Sequence, residues 1–155
     1  MTLEQLEALR AECRAMVTRR AGLSAGAAVV PLLGIDIGAD AALLLEMIPA
    51  INRKFGLTPE QIDTLDPQLK KIMLVAITSI GSEMIGKVVT RQLIMRALSR
   101  MGVRLASKSA VKFVPLLGQA VAASISFGAM RMIGNAHVDD CYEVAKQALA
   151  SAHSP

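Results

Sequence analysis

The stretch GSEMIGKV, residues 81–88, nearly matches the phosphate-binding P-loop, which reads G-x-x-x-x-G-K followed by Ser or Thr. Gly81, Gly86 and Lys87 are in place, but Val88 stands where the hydroxyl should be. A P-loop also lies between a strand and a helix. Its backbone amides can surround a phosphate because the loop itself is not helical. Here apolar residues continue at helical spacing through the whole stretch. We therefore predict a continuous helix without nucleotide binding, in which the glycines let another helix approach closely.

Two pairs of residues have the spacing of metal ligands on one face of a helix. His137 and Cys141 are four residues apart, and so are Asp36 and Asp40. The competing interpretation is structural: His137 and Cys141 lie on a solvated helix face, Asp36 caps a helix, and Asp40 favours its positive end. Arg131 is the expected partner of Asp40. We favour the structural interpretation for both pairs, and we expect no catalytic residue, metal or cofactor.

A series of basic residues without any acid covers residues 87–112. It has three interpretations: a solvated face of an apolar helix, a contact with anionic lipid headgroups, or a contact with nucleic acid. Each such charge contributes about 1 kcal/mol at an anionic membrane surface. Nucleic acid is the least favoured partner, because no aromatic residues for base stacking are interleaved. The candidate contacts to lipid or to a partner protein are Arg91, Arg96, Arg100, Arg104, Lys108 and Lys112.

The composition indicates one helical domain of 155 residues, long enough to bury a core. Hydrophobic residues make up 53%, with a mean hydropathy of +0.46, but aromatic residues only 3%, which is not typical of a membrane-spanning protein. Two cysteines favour a reducing compartment. We expect a cytoplasmic protein, with a peripheral position at the inner face of the membrane as an option. The stretch TRRAGLSAGAAVVPLLGI resembles a twin-arginine export signal and is the less favoured interpretation.

The pentapeptide VPLLG occurs twice, at residues 30–34 and 114–118, each time after a small or apolar run and before an Ala-rich helix. We therefore predict two similar helical hairpins, at residues 21–56 and 113–151. Proline and glycine should form their turns, because proline blocks helix continuation and glycine permits unusual dihedral angles. These structural residues are Pro31, Gly34, Pro115 and Gly118.

The rest of the chain carries helix signals of its own. Residues 1–20 predict an amphipathic N-terminal helix, residues 57–112 middle helices, and residues 152–155 a frayed tail. Gly56 should end the helix that begins near Asp36. Thr58 and Gln61 predict a capping box, and the dipeptide Asp-Pro at 66–67 predicts the start of a longer helix.

These segments resemble a helical domain of unknown function that accompanies GTPases in bacteria. The stretch VPLLGIDIGADAALLLEMIPAINRKFGLTPEQI is also similar to the C-terminal helical region of immunity-related GTPases and, more distantly, to EcsC-like proteins. Shared features are a proline-glycine turn, an Asp after it, an apolar helix and an aromatic-Gly pair, here Phe55 and Gly56. KFVPLLGQAVAASISFGAMRMIG resembles the closing hairpin of that family through Pro115, Gly118 and Gly134. The resemblance implies an all-helical, often membrane-associated module beside a GTPase, which this chain lacks.

We therefore predict an all-α helical bundle in a single domain, residues 1–155. The expected function is that of a non-enzymatic module that associates reversibly with a membrane, a partner protein, or both. An anionic lipid surface and a GTPase acting in trans are the partners considered. The alternative is a soluble helical adaptor or inhibitor that binds a protein partner, or another copy of itself, through the same apolar surface.

Overall fold

The computed structural model describes residues 1–28, 37–108 and 118–152, with side chains for residues 1–23, 41–100 and 127–152. Within those ranges the chain forms helices and no strands, which confirms the predicted all-α bundle. The helices are α1 (Leu3–Ala28), α2 (Ile37–Phe55), α3 (Pro59–Asp63), α4 (Pro67–Ile80), α5 (Arg91–Lys108) and α6 (Gly118–Ala152).

The predicted helix signals at residues 56–67 are confirmed. Gly56 follows α2 with a φ of +72°. The Thr58 hydroxyl accepts a hydrogen bond from the backbone N–H of Gln61 at 3.2 Å, and the Gln61 side chain accepts one from the Thr58 N–H at the same distance. Asp66 accepts from two backbone N–H groups in the first turn of α4, at 3.1 and 3.0 Å. Pro59 and Pro67 each take the first helical position, where no backbone donor is needed.

Helices α1, α2 and α6 form the centre of the bundle. Helix α1 packs antiparallel to α6. Tyr142 of α6 donates a hydrogen bond to Glu7 of α1, whereas Asp139, which precedes Tyr142 in α6, binds Arg10 and Arg14, which follow Glu7 in α1. Each of the two arginines approaches Asp139 within 2.9 Å, and the Arg10 guanidinium also lies 4.5 Å from the centre of the Tyr142 ring. The apolar side of α1 is fully buried against this partner at Leu6, Cys13, Val17 and Ala21.

Helix α1 continues to Ala28, so the predicted boundary between an N-terminal helix and a first hairpin at residue 21 falls inside one helix. The small residues after position 20 do not break it. The predicted turn residues Pro31, Gly34, Asp36 and Pro115, together with Lys112, lie outside the described residues. Gly118 is the first residue of α6, and Asp40 lies near the start of α2, but neither has a described side chain.

Gly134 marks the place where α6 approaches both other central helices most closely. A Cβ atom there would lie 2.6 Å from Val17 Cγ1 of α1 and 2.9 Å from the Met47 methyl group of α2. Real Cβ atoms do not come that near to other heavy atoms, so a side chain here would require Val17, together with the flexible end of Met47, or the helices themselves to shift. The absence of a side chain at this position therefore permits the close packing of α6 on Val17.

We expect Gly134→Ala to lower the free energy of unfolding by about 1–3 kcal/mol, because the new methyl group overpacks the core. Gly128→Ala is the matched control. Gly128 lies in the same helix, is exposed, and would have no heavy atom within 4 Å of a new Cβ. Alanine there should stabilise by about 0.5–1 kcal/mol through helix propensity. Chemical denaturation measures both, and a shift in the same direction for both variants would contradict the close approach.

Candidate functional site

Residues 81–90 form a loop between α4 and α5, so the predicted continuous helix is wrong. Gly81 ends α4 in the left-handed conformation with a φ of +72°, and Gly86 has a φ of +68°. The loop is anchored in the core by Ile85, which is 1% exposed. The glycines therefore allow the backbone to turn. The predicted close approach of another helix does not occur at Gly81, where a Cβ would have no heavy atom within 4 Å.

The loop geometry does not make a phosphate nest. A helix precedes it where a P-loop has a strand, and the Gly86 N–H already donates to the Leu57 carbonyl at 3.1 Å. Lys87 is exposed, and no ion pair joins it to another described residue. The absence of nucleotide binding stays a prediction.

We expect millimolar ATP or GTP to leave the melting temperature unchanged in wild type and in Lys87→Ala alike. The physical reason is that the Gly86 amide is engaged by Leu57 and is not free for a phosphate oxygen. A nucleotide-dependent rise in wild type that disappears in Lys87→Ala would show that the loop binds phosphate after all.

His137 and Cys141 do not lie on a solvated face, as the sequence suggested, but in the core. They are 1% and 0% exposed. His137 Nε2 lies 2.8 Å from Asn52 Oδ1, and Cys141 Sγ lies 3.5 Å from the same oxygen. Asn52 Nδ2 donates to the Met84 carbonyl at 2.8 Å. Because Asn52 presents its oxygen to His137, the imidazole must donate from Nε2, and its buried Nδ1 has no partner within the described chain.

Chemistry at this polar cluster is suppressed by burial. Burial lowers the pKa of His137 to about 4, raises that of Cys141 well above its usual value, and raises that of Cys13 to about 11. Neither thiol is therefore a thiolate at neutral pH, and His137 is neutral. No group of three metal-binding side chains occurs among the described residues. The arrangement joins α2, the 81–90 loop and α6 through hydrogen bonds.

A pH titration of stability tests the burial of His137. Its pKa is lower in the folded than in the unfolded chain, so its stabilising contribution is full above pH 6.5 and is lost as pH falls towards 4. Between pH 7 and 4.5 we expect wild type to lose up to about 3 kcal/mol more than His137→Gln. The difference between the proteins isolates His137 from Asp140, whose pKa burial raises. Equal losses in both would mean that His137 is accessible to protons.

Sequence reasoning missed Asn52, although a signal for it exists. Asn52 is 2% exposed and follows the buried Ile48 by one helical turn. A lone amide on the apolar stripe of α2 indicates a buried hydrogen-bonding partner elsewhere in the chain. The partner itself is not readable from the sequence, since His137 is 85 residues away.

The charges of the chain are strongly sorted, and this defines the candidate interaction surface. Residues 67–112 contain nine Lys and Arg and one acid, Glu83, whereas the other 109 residues contain eight Lys and Arg and twelve acids. We call the exposed side chains of α4, the 81–90 loop and α5 together the basic surface; these elements are consecutive in the chain, and α4 packs on α6 whereas α5 packs on α2 and α6. Its described exposed members include Lys71, Lys87, Arg91, Arg96 and Arg100. Arg104 and Lys108 lie on α5 without described side chains.

The basic surface also exposes apolar side chains. Val75 of α4 is 62% exposed, Leu74 is 47% exposed, and Val88 of the loop is 71% exposed. The opposite side of α4 buries Ala76 and Ile77 in the core. A shallow groove of about 660 Å³ follows the outer face of α4 from Pro67 to Ser79. Along this face, Lys70 and Lys71 are followed one turn later by Leu74 and Val75, and then by Thr78 and Ser79.

Glu83 is the acid of the basic surface, and it contacts two of the predicted candidates. Its carboxylate lies 3.4 Å from Arg100 Nη2 and 4.0 Å from Arg96 Nη1. All three side chains are about half exposed. Sequence reasoning counted an acid-free series from residue 87 onwards and so missed this partner, which lies only four residues before it.

Comparison with protein-family models, curated proteins and solved structures found no match to this chain. The resemblance to GTPase-associated helical domains therefore rests on the short motifs alone and stays a prediction. Among the helices of the described ranges, none combines the length and the hydropathy that crossing a bilayer requires.

Proposed function

We propose that this protein is a non-enzymatic helical module that associates reversibly with an anionic membrane surface through the basic surface of α4, the loop and α5. One observation carries the proposal: the stretch of chain that holds the excess positive charge also exposes Leu74, Val75 and Val88. Anionic headgroups attract the charges, and the boundary between headgroups and acyl chains accommodates the apolar side chains. A cytoplasmic protein at the inner face of the membrane would meet such a surface.

The magnitudes favour weak, salt-sensitive binding. Each lysine or arginine near an anionic surface contributes about 1 kcal/mol, and this contribution falls off within a Debye length. Three partly exposed aliphatic side chains add only a few kcal/mol even if they are fully covered. Neither contribution is enough for permanent anchoring, so the association should be reversible.

The alternative is a helical adaptor that binds a protein partner or a second copy of itself. The groove along the outer face of α4 supports it, because an apolar face with the exposed Lys71 at one end also suits an amphipathic helix with an acidic end, while Lys70 is paired with Asp63. A GTPase acting in trans, as the sequence resemblance implies, would be such a partner. Both proposals use the same surface of the protein, and they differ in whether a membrane or a protein covers it.

Vesicle flotation with a size measurement decides between the two. We expect the purified chain to float with phosphatidylcholine vesicles that contain phosphatidylglycerol, to stay behind with phosphatidylcholine alone, and to be released by high salt. Lys71→Gln with Arg91→Gln removes two exposed charges of the basic surface and should weaken binding by about five-fold per charge. The matched control is Arg19→Gln with Arg53→Gln, which removes two exposed arginines from α1 and α2.

The control variant should bind more strongly than the test variant, although both carry the same net charge. Equal weakening would mean that the overall charge, and not the basic surface, drives association. Failure of wild type to float, together with a concentration-dependent increase in molecular mass, would instead favour self-association through α4.

A further inference from the structure

Glu83 lies between two arginines of the basic surface, at longer distances than Asp139 lies from Arg10 and Arg14. Arg96 and Arg100 are one helical turn apart on α5, which separates them by about 6 Å along the axis. Both approach the same carboxylate, one at each oxygen, at 4.0 and 3.4 Å. These distances exceed those of a strong charge-assisted hydrogen bond, about 2.7–2.9 Å. One carboxylate therefore satisfies neither guanidinium fully.

The backbone on either side of Glu83 is held in place by the core. The Gly81 N–H donates to the Ile77 carbonyl at 3.1 Å, the Met84 carbonyl accepts from the buried Asn52, and Ile85 is itself buried. The Glu83 side chain, in contrast, is 45% exposed. The loop thus holds one partly exposed acidic side chain beside the arginines.

The two arginines have the chemistry to bind a phosphate group in place of the carboxylate. Guanidinium groups present a planar fork of donors that matches phosphate oxygens bidentately, as it matches a carboxylate. A lipid phosphodiester has two charged oxygens, as a carboxylate has, so it can replace Glu83 between the arginines. The side chains of Arg96 and Arg100 are 58% and 63% exposed, so a phosphate from solution or from a headgroup can reach both.

We propose that Arg96 and Arg100 form a phosphate-binding clamp and that Glu83 is its internal counterion, which the phosphate must displace. This inference rests on the proposed function, since a membrane headgroup is the intended source of the phosphate. It goes further by assigning the residues and by giving the loop a regulatory part: the Glu83 carboxylate competes with the ligand and keeps the affinity of the basic surface low.

Removing the charge of Glu83 should therefore strengthen binding. Exposed ion pairs of this kind are weak, so we expect Glu83→Gln to raise the affinity for phosphatidylglycerol vesicles by about two- to five-fold beyond any effect of net charge. The control for net charge is Glu143→Gln. Glu143 has the same side-chain exposure, 45%, and a comparable partner, Lys146 at 4.0 Å, but it lies on α6.

Two outcomes of this comparison overturn the clamp. Equal affinities of Glu83→Gln and Glu143→Gln would mean that Glu83 acts only through net charge. A lower affinity of Glu83→Gln would mean that the carboxylate orders the arginines for binding and does not compete. In either case wild type still floats with anionic vesicles, so the clamp fails while the proposed function stands.

A second measurement tests the clamp without vesicles. Inorganic phosphate is titrated against chloride at matched ionic strength, while nuclear magnetic resonance follows the side-chain Nε–H signals of the arginines. We expect saturable shifts at Arg96 and Arg100, larger in Glu83→Gln, and none at Arg19. Saturation identifies free phosphate as a sufficient ligand. Shifts that appear only with phosphatidylglycerol micelles identify the headgroup as the source. No selective shift with either probe overturns the proposal, whether or not wild type binds vesicles.

Discussion

The hydrogen bonds of one buried amide connect the three parts of the molecule on which its surface depends. Asn52 of α2 accepts from His137 of α6 and donates to the Met84 carbonyl in the 81–90 loop. An amide left unpaired in this position would cost about 1–3 kcal/mol, so each partner depends on the others being in place. The loop is thereby fixed to the core, although it contains no secondary structure.

The fixed loop determines where α5 begins and what faces it. The Gly86 N–H donates to the carbonyl of Leu57, which lies just after α2, and the neighbouring Ile85 is buried in the core. Glu83 is held on the outer side of this anchor, next to Arg96 and Arg100. A contact in the centre of the bundle therefore sets the geometry of charges on its surface. The missing side chain at Gly134 permits the close packing of α6 on Val17 of α1.

Local signals were predictable from the sequence, and long-range ones were not. The capping box of Thr58 and the cap at Asp66 depend on residues within three positions, so the motif contains all the information. The burial of His137 depends on Asn52, 85 residues away. A single polar residue in the sequence does not indicate which distant residue will form its hydrogen bond. Adjacent Asp139 and Asp140 made a solvated face look plausible, but Asp139 is exposed only in part because Arg10 and Arg14 cover it.

The loop was mistaken for helix for a related reason. Buried Ile85 and the half-buried Ile80 and Met84 have helical spacing, because a loop that packs on a core also buries apolar residues at intervals. The two glycines were the better signal, since a glycine after an apolar helix is typical of a left-handed C-cap. Gly81 has that conformation. Arg91, Arg96 and Arg100 of the predicted basic series are exposed, but the acid that contacts two of them lies in the loop that the helical interpretation did not predict.

The ion pairs of the described residues are distributed unevenly along the chain. Outside residues 67–112, several carboxylates form ion pairs: Asp139 binds two arginines, and Glu12 binds Lys54 at 2.6 Å. Between residues 67 and 112 there is a single acid for nine cations, and no ion pair joins Lys71 or Arg91 to another described residue. Lys70 pairs with Asp63, which lies outside the stretch, at 2.7 Å, and Glu83 lies beside Arg96 and Arg100. For the cations of the stretch that have no ion-pair partner among the described residues, such as Lys71 and Arg91, solvent ions supply the compensating charge. The same imbalance gives Glu83 its importance in the proposed clamp, where it is the carboxylate of this stretch that a phosphate would replace.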